Sequence, residues 1–198
     1  MTLHLSRIPI TGDRLRYQLS SDVYAAHRFV MRHFPVANKD PRSELGILWR
    51  FEEHNRPHFL VQSLVLPTTE VESKTFDPIV LVEDMTVRFL LVANPSRKQK
   101  REGRPNSARI GIHNEETQIA WLKSRLANSL EWADPGAVRV SEPRRLHGRR
   151  GTQRVVIDAV TFDGVGHVVD ATRLAGVIAR GVGPGKAFGC GLLSVSRV

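Results

Sequence analysis

Apolar residues along this 198-residue chain recur with two different periods, and the changes of period mark its elements. Leu3 to Ile10 alternate loosely and predict a first strand. A helix is predicted next, capped by Ser20 or Ser21, running through Asp22, Val23 and Tyr24 to about His33 and stopped by Pro35. Val23, Val30 and Phe34 share one side of it, and His27 falls on that same side. Residues 46–54 and 58–66 predict two strands around the turn Asn55-Arg56-Pro57. A second helix, poorly marked, is expected between Thr68 and Asp77. Met85 to Ala93 is rich in β-formers and predicts another strand. The order β-α-β-β-(α)-β is that of a ferredoxin-like unit.

The pattern resumes after a polar connector. Asn114 caps a helix with Thr117 and Gln118 in its first turn, and Ile119, Leu122, Leu126 and Leu130 form its buried stripe. Ala137 to Val140 and Arg154 to Phe162 predict strands joined by an arginine-rich hairpin tip. Asp170 or Thr172 starts a further helix through Leu174, Val177 and Ile178. A glycine-rich loop and a final strand close the chain. The expected fold class is therefore α+β, two ferredoxin-like halves with antiparallel sheets. The first covers residues 1–93; the second, 94–198, includes the connector.

Charge changes this picture from a fold to a function class. Arg97 to Arg109 holds six basic residues against one glutamate, and Arg139 to Arg154 repeats that count. These two segments together exceed the formal net charge of +9, so the rest of the chain is close to neutral. Excess charge concentrated in patches is a footprint for a polyanion; the plainer alternative is two solvated loops. One cysteine excludes a disulfide framework, and the absence of a zinc-type spacing points to a reducing cytoplasm. The N-terminus lacks the apolar core of a signal peptide, and no run approaches membrane-spanning length.

Five glycines fall within residues 181–191, with Lys186 among them. Such a loop can make an anion-binding nest of backbone amides, to which Lys186 adds a point charge. The mononucleotide pattern fails: Arg180 stands where its first glycine belongs, and Ala187 replaces the magnesium-binding Ser/Thr. A dinucleotide pattern fails too, because the loop leads from helix to strand. A structural alternative is that the glycines let the final strand and helix pack closely.

In order and spacing, several segments resemble the CasE family, the CRISPR-associated endoribonucleases of type I-E systems. They are Asp22-Val23-Tyr24-Ala25-Ala26-His27-Arg28, then Arg88-Phe89-Leu90-Leu91-Val92-Ala93-Asn94-Pro95, then Ala120-Trp121-Leu122. Gly185-Lys186-Ala187-Phe188-Gly189-Cys190-Gly191-Leu192-Leu193 completes the set. The resemblance spans the whole chain. It implies tandem RNA-recognition-motif-like domains. It implies cleavage of precursor CRISPR RNA at the base of each repeat hairpin. It implies continued attachment to the product among the other subunits of the Cascade complex. No cofactor is implied. The family's catalytic histidine falls on His27 and its tyrosine partner on Tyr24.

The chemistry can be argued independently. RNA carries its own nucleophile, the 2′-hydroxyl, so a side-chain base suffices without a metal. Histidine, with an ordinary pKa of about 6.5, is the natural one. Attack in line would leave a 2′,3′-cyclic phosphate and a 5′-hydroxyl. Tyr24 lies three residues before His27, so both side chains emerge on one helical face. A satisfied core histidine is the competing reading of His27. Arg28, Arg32 and Lys186 are equal candidates for a transition-state cation. His54 and His58 have H-x₃-H spacing on a predicted hairpin, without a third ligand, and suggest structural or surface roles. No cluster of carboxylates suggests a two-metal nuclease.

Aromatic residues make up 7% of the chain, and neither half has the aromatic-rich strand that stacks single-stranded bases. Recognition of a duplex through shape and phosphates suits this composition better. The tip residues Arg144, Arg145, Arg149, Arg150 and Arg154 are the leading contacts, with Lys98, Lys100 and Arg101 of the connector extending the track. Gly183, Gly185 and Lys186 are expected near phosphates as well. The alternative function is a non-catalytic RNA-hairpin-binding subunit using the same surface.

Overall fold

A computed structural model describes residues 2–36, 40–53, 56–99 and 108–198 of the chain. Lys100 and Arg101, His54, and the side chain of Arg150 lie outside the described residues. The first half contains β1 (Leu3–Pro9), α1 (Asp13–Ser21), α2 (Val23–Met31), a short α3 (Pro41–Glu44), β2 (Leu48–Glu52), β3 (His58–Ser63) and β4 (Glu72–Phe76). Its antiparallel sheet has the order β2-β3-β1-β4. The second half contains β5 (Thr86–Ala93), the pair β6 (Ser96–Gln99) and β7 (Ala108–Gly111), α4 (Glu115–Leu126), β8 (Leu130–Glu131) and β9 (Val138–Val140). It continues with β10 (Arg144–Arg150), β11 (Gln153–Val168), α5 (Ala171–Arg180) and β12 (Leu193–Arg197). Its sheet has the order β10-β11-β5-β12, with β8 and β9 also paired to β11. Among the described residues no helix is long and apolar enough to cross a membrane.

Both halves have antiparallel ferredoxin-like sheets, but two elements differ from expectation. Residues 72–76 form β4, not a helix, and pair with β1 from Arg7↔Glu72 to Leu3↔Phe76. This edge strand reads Glu-Ser-Lys-Thr-Phe and is mostly exposed, so no apolar alternation marks it. The second difference follows from the first. Thr86–Ala93, grouped by sequence with residues 1–93, is hydrogen-bonded between β11 and β12 at the centre of the second sheet. Its inward residues Val87, Phe89, Leu91 and Ala93 are buried with Trp121, Leu122, Leu126, Leu174 and Ile178 from α4 and α5.

A smaller correction concerns the start of the helix that carries Tyr24 and His27. The structure has two helices where one was expected, and Asp22, not Ser20 or Ser21, is the cap of α2. Its carboxylate accepts a hydrogen bond from the Tyr24 amide at 2.8 Å. Polar α1 buries only Leu19, which hides it from a periodicity reading. Helix α4 begins as expected, with Asn114 Oδ1 accepting from Thr117 N at 3.0 Å. It stops at Leu126, two residues before Asn128 adopts a left-handed φ of 61°.

The halves are joined through buried polar contacts. Gln62 of β3, almost fully buried, donates to the Ile178 carbonyl of α5 at 2.9 Å. Arg50 of β2 donates to Ser194 Oγ of β12 at 3.2 Å while Glu52 holds its guanidinium at 2.6 Å. Desolvated charges need such partners, which makes these contacts directional rather than merely adhesive.

Candidate active site and RNA-facing hairpin

Helix α2 carries the two candidate catalytic side chains because its wheel has two uses. Ala26 and Val30 are buried against the first sheet, alongside Phe34, Trp49 and Phe59, and Val23 is buried beside Gly148 of the hairpin. Each large side chain buried there contributes about 1.5–3 kcal/mol, which fixes the rotation of the helix. Tyr24 and His27 sit at the margin of that stripe, half-buried. Their ring centroids lie 6.2 Å apart, edge to face at 70°. Tyr24 also packs against Phe188, whose ring centroid is 5.9 Å away.

His27 is neither a satisfied core histidine nor a surface one. Its Nδ1 is buried and has no hydrogen-bond partner among the described residues. Burial lowers the pKa of the ring, the positive charge of Arg42 lowers it further, and Asp40 opposes the change. The neutral imidazole is thus favoured, the state that accepts a proton.

The glycine-rich loop faces this helix. Lys186 to Phe188 form a single 3₁₀ turn between Gly185 and Gly189, both left-handed at φ 85° and 82°. A side chain on Gly189 would stand 2.9 Å from the Trp49 ring, and one on Gly183 would stand 2.8 Å from that of Trp121. Gly185 packs on Cys190 and Ile157. Gly189 therefore serves close packing between the halves, Gly183 and Gly185 serve packing within the second half, and the loop's charge is supplied by Lys186. The Lys186 ammonium donates to the Arg180 carbonyl. Its pKa is lowered by burial and by the guanidiniums of Arg42 and Arg180. Burial pushes the neighbouring Cys190 thiol up to about 12, so it is inert.

The arginine-rich stretch is a β-hairpin throughout, paired from Arg144↔Ala159 to Arg150↔Gln153 and turned at Gly151 with φ 57°. Strand alternation divides its side chains. Arg145, His147 and Arg149 are exposed on one face together with Arg154 of β11, while Leu146 and Gly148 turn inward. Arg145 Nε pairs with Asp158 at 2.9 Å, and Arg154 Nη2 lies 3.4 Å from His147 Nδ1. Among the described residues Arg149 has no ion pair, and neither has the exposed Arg144 at the root of the hairpin. Ser21 and Asp22, at the start of α2, border the same hollow as His147, Arg149 and Arg154. The connector pair β6–β7 sets exposed Lys98 opposite Arg109. A Cβ on Gly111, at the end of β7, would lie 3.8 Å from Asp158 Oδ2, so this pair runs beside the hairpin.

A family model described as CRISPR associated protein matches residues 3–197. The CRISPR-associated endoribonuclease Cse3 of Thermus thermophilus is 31% identical over 195 residues, covering 87% of this chain and 89% of its own. The CRISPR system Cascade subunit CasE of Escherichia coli is 30% identical over 192 residues, 89% of this chain and 93% of its own. The chain belongs to the CasE family. The structure of Thermus thermophilus Cse3 bound to an RNA representing a pre-cleavage complex superposes on this CasE-family chain with a TM-score of 0.81. The two are 29% identical, and the match covers 98% of each.

One residue near the site of this CasE-family protein escaped the sequence reading. Arg42, on α3, acts electrostatically on both His27 and Lys186. Nothing in its local sequence beyond a Pro helix start marks it, since the fold alone brings residue 42 to residues 27 and 186. Arg28, by contrast, is exposed on the helix face away from Val30. His58 Nδ1 meets the Arg56 carbonyl at 2.8 Å, a local turn contact. Among the described residues, no three of His, Cys, Asp and Glu are grouped as metal ligands.

Proposed function

We propose that this CasE-family chain is an endoribonuclease that cuts precursor CRISPR RNA within each repeat, at the base of the repeat hairpin, with His27 as general base. The observation that carries this reading is the pairing of a half-buried His27, held towards its neutral form, with Tyr24 beside a basic hairpin. His27 takes the proton of the 2′-hydroxyl as that oxygen attacks phosphorus. The 2′-oxygen–phosphorus bond forms, the bond to the 5′-oxygen breaks, the leaving oxygen takes a proton from water, and the hydroxide so formed takes the proton that His27 had accepted. The products are a 2′,3′-cyclic phosphate and a 5′-hydroxyl. Tyr24 donates to a non-bridging phosphate oxygen, and Lys186 and Arg42 supply positive charge at the same end of the cleft.

Arg144, Arg145, Arg149, Arg150 and Arg154 hold the RNA stem through its phosphates, and Lys98, Lys100 and Arg101 extend that track. Gly183 and Gly185 shape the loop that presents Lys186. The chain remains on its product in the cytoplasm as a Cascade subunit, the assembly in which the Escherichia coli relative is named. No metal takes part in the reaction.

The test uses wild type and His27→Ala with a repeat RNA, either all-ribo or carrying a 2′-deoxy sugar at the scissile nucleotide. Wild type cuts only the all-ribo RNA, equally in EDTA, and both proteins bind both RNAs. Cleavage by His27→Ala rejects the base, and loss of activity in EDTA rejects the metal-free step. If neither protein cuts while both bind, the chain is a binding subunit only.

A further inference from the structure

The backbone of the basic hairpin rests directly on the start of the catalytic helix at Gly148. Gly148 of β10 is buried between exposed His147 and Arg149, on the inward face of the strand. A Cβ there would lie 2.9 Å from Val23 Cγ2, 3.2 Å from Tyr24 N and 3.3 Å from Asp22 Oδ1. Gly148 is not among the glycines with positive φ, so backbone conformation does not demand the residue. Proximity does. The three atoms it meets are the cap of α2, the amide held by that cap, and the first buried side chain of the helix.

We infer that Gly148 is a positioning residue, the seat through which RNA gripped by the hairpin is brought into register with Tyr24 and His27. The inference rests on the reading of those two residues as catalytic and of the hairpin as the stem holder. Without a side chain at 148, the hairpin backbone settles directly on the first turn of α2. The flanking side chains, His147 and Arg149, point out towards RNA. A displacement of the hairpin at this point therefore moves the bound phosphates relative to His27, one helical turn farther on. Neither element can shift alone without opening this contact. A methyl group placed 2.9 Å from Val23 Cγ2 falls about half an ångström to an ångström short of ordinary contact and presses the two apart, and misplacement approaching an ångström can cost about 100-fold in rate.

The experiment compares wild type, Gly148→Ala, Val23→Ala/Gly148→Ala and His27→Ala on one repeat RNA. It measures affinity, single-turnover rate and the mapped position of the cut. Gly148→Ala is expected to bind within about threefold of wild type and to cut roughly 10- to 100-fold more slowly, in part at a neighbouring phosphodiester. Removing the Val23 methyl groups in the double variant should recover most of the rate and restore the single cut position. The inference is overturned if Gly148→Ala cuts at the wild-type rate and position. It is equally overturned if affinity falls by as much as rate, because the glycine then serves the hairpin itself, or if the double variant gives no recovery. Cleavage by His27→Ala would instead reject the underlying catalytic reading, so the two failures are distinct.

Discussion

Tyr24 and His27 stand one helical turn apart with their rings edge to face, and the Asp22 cap fixes the amide of the first. The pair is thus oriented before any RNA arrives. Burial on one side and Arg42 on the other hold His27 towards its neutral form.

The pH dependence of cleavage follows from that shift. A general base works when deprotonated, so the single-turnover rate should rise with pH and level off, with its midpoint below the ordinary histidine value of about 6.5. Arg42→Gln removes the charge that lowers it and should move the midpoint upward. A rate profile measured from acid to neutral pH checks both. Stability has a matching signature. Between the lowered folded value and about 6.5 the unfolded chain binds more protons, so stability falls as pH falls through that window. His33 is lowered by burial as well and adds in the same direction. His27→Ala should flatten this dependence in part, as measured by urea unfolding at several pH values.

Affinity for the repeat stem should respond differently to the two kinds of arginine on the hairpin. Arg149 has no acidic partner among the described residues, whereas Arg145 is held by Asp158 at 2.9 Å. Arg149→Ala should weaken binding and lower the slope of log affinity against log salt by about one unit. Asp158→Asn releases Arg145 and should strengthen binding, most visibly at low salt. Titrations of labelled RNA across salt concentrations measure both.

Gly189 is a test of how the halves are packed. Its φ of 82° disfavours any side chain, and a methyl group would press the Trp49 ring at 2.9 Å. Gly189→Ala should destabilise the fold by more than about 1 kcal/mol, through strain and displaced packing together. Chemical denaturation checks this, and an unchanged midpoint would show that the loop yields easily.

The tandem ferredoxin-like plan was legible because strands β2, β3, β5 and β11 are rich in apolar β-formers, β1 and β12 alternate at least loosely, and helices α4 and α5 have side-chain caps. What sequence missed has a physical cause in each instance. Strand β4 is a polar edge, so its identity comes from pairing with β1 rather than from its own residues. Missing it displaced β5 into the wrong sheet, since a single strand then had to complete the first unit. His27 and Tyr24 could be placed on one face from their spacing. Arg42 could not, because only the folded chain brings it to residues 27 and 186. The glycine loop could be recognised as special, but its reason, contact with Trp49 and Trp121, is visible only in three dimensions.

Strand β11 is 16 residues long and belongs at once to the second sheet and to the basic hairpin. The arm is therefore a cantilever rooted in the core, not a loop that must find its shape. Its backbone has little conformational entropy left to lose on binding, and only the arginine side chains remain to be ordered. On the proposed mechanism the cut is made by His27, one helical turn beyond the point where the arm meets α2, and not by any residue of the arm. On that proposal, severing the RNA leaves the arm's hold on the stem intact, so the product stays on the protein after the cut.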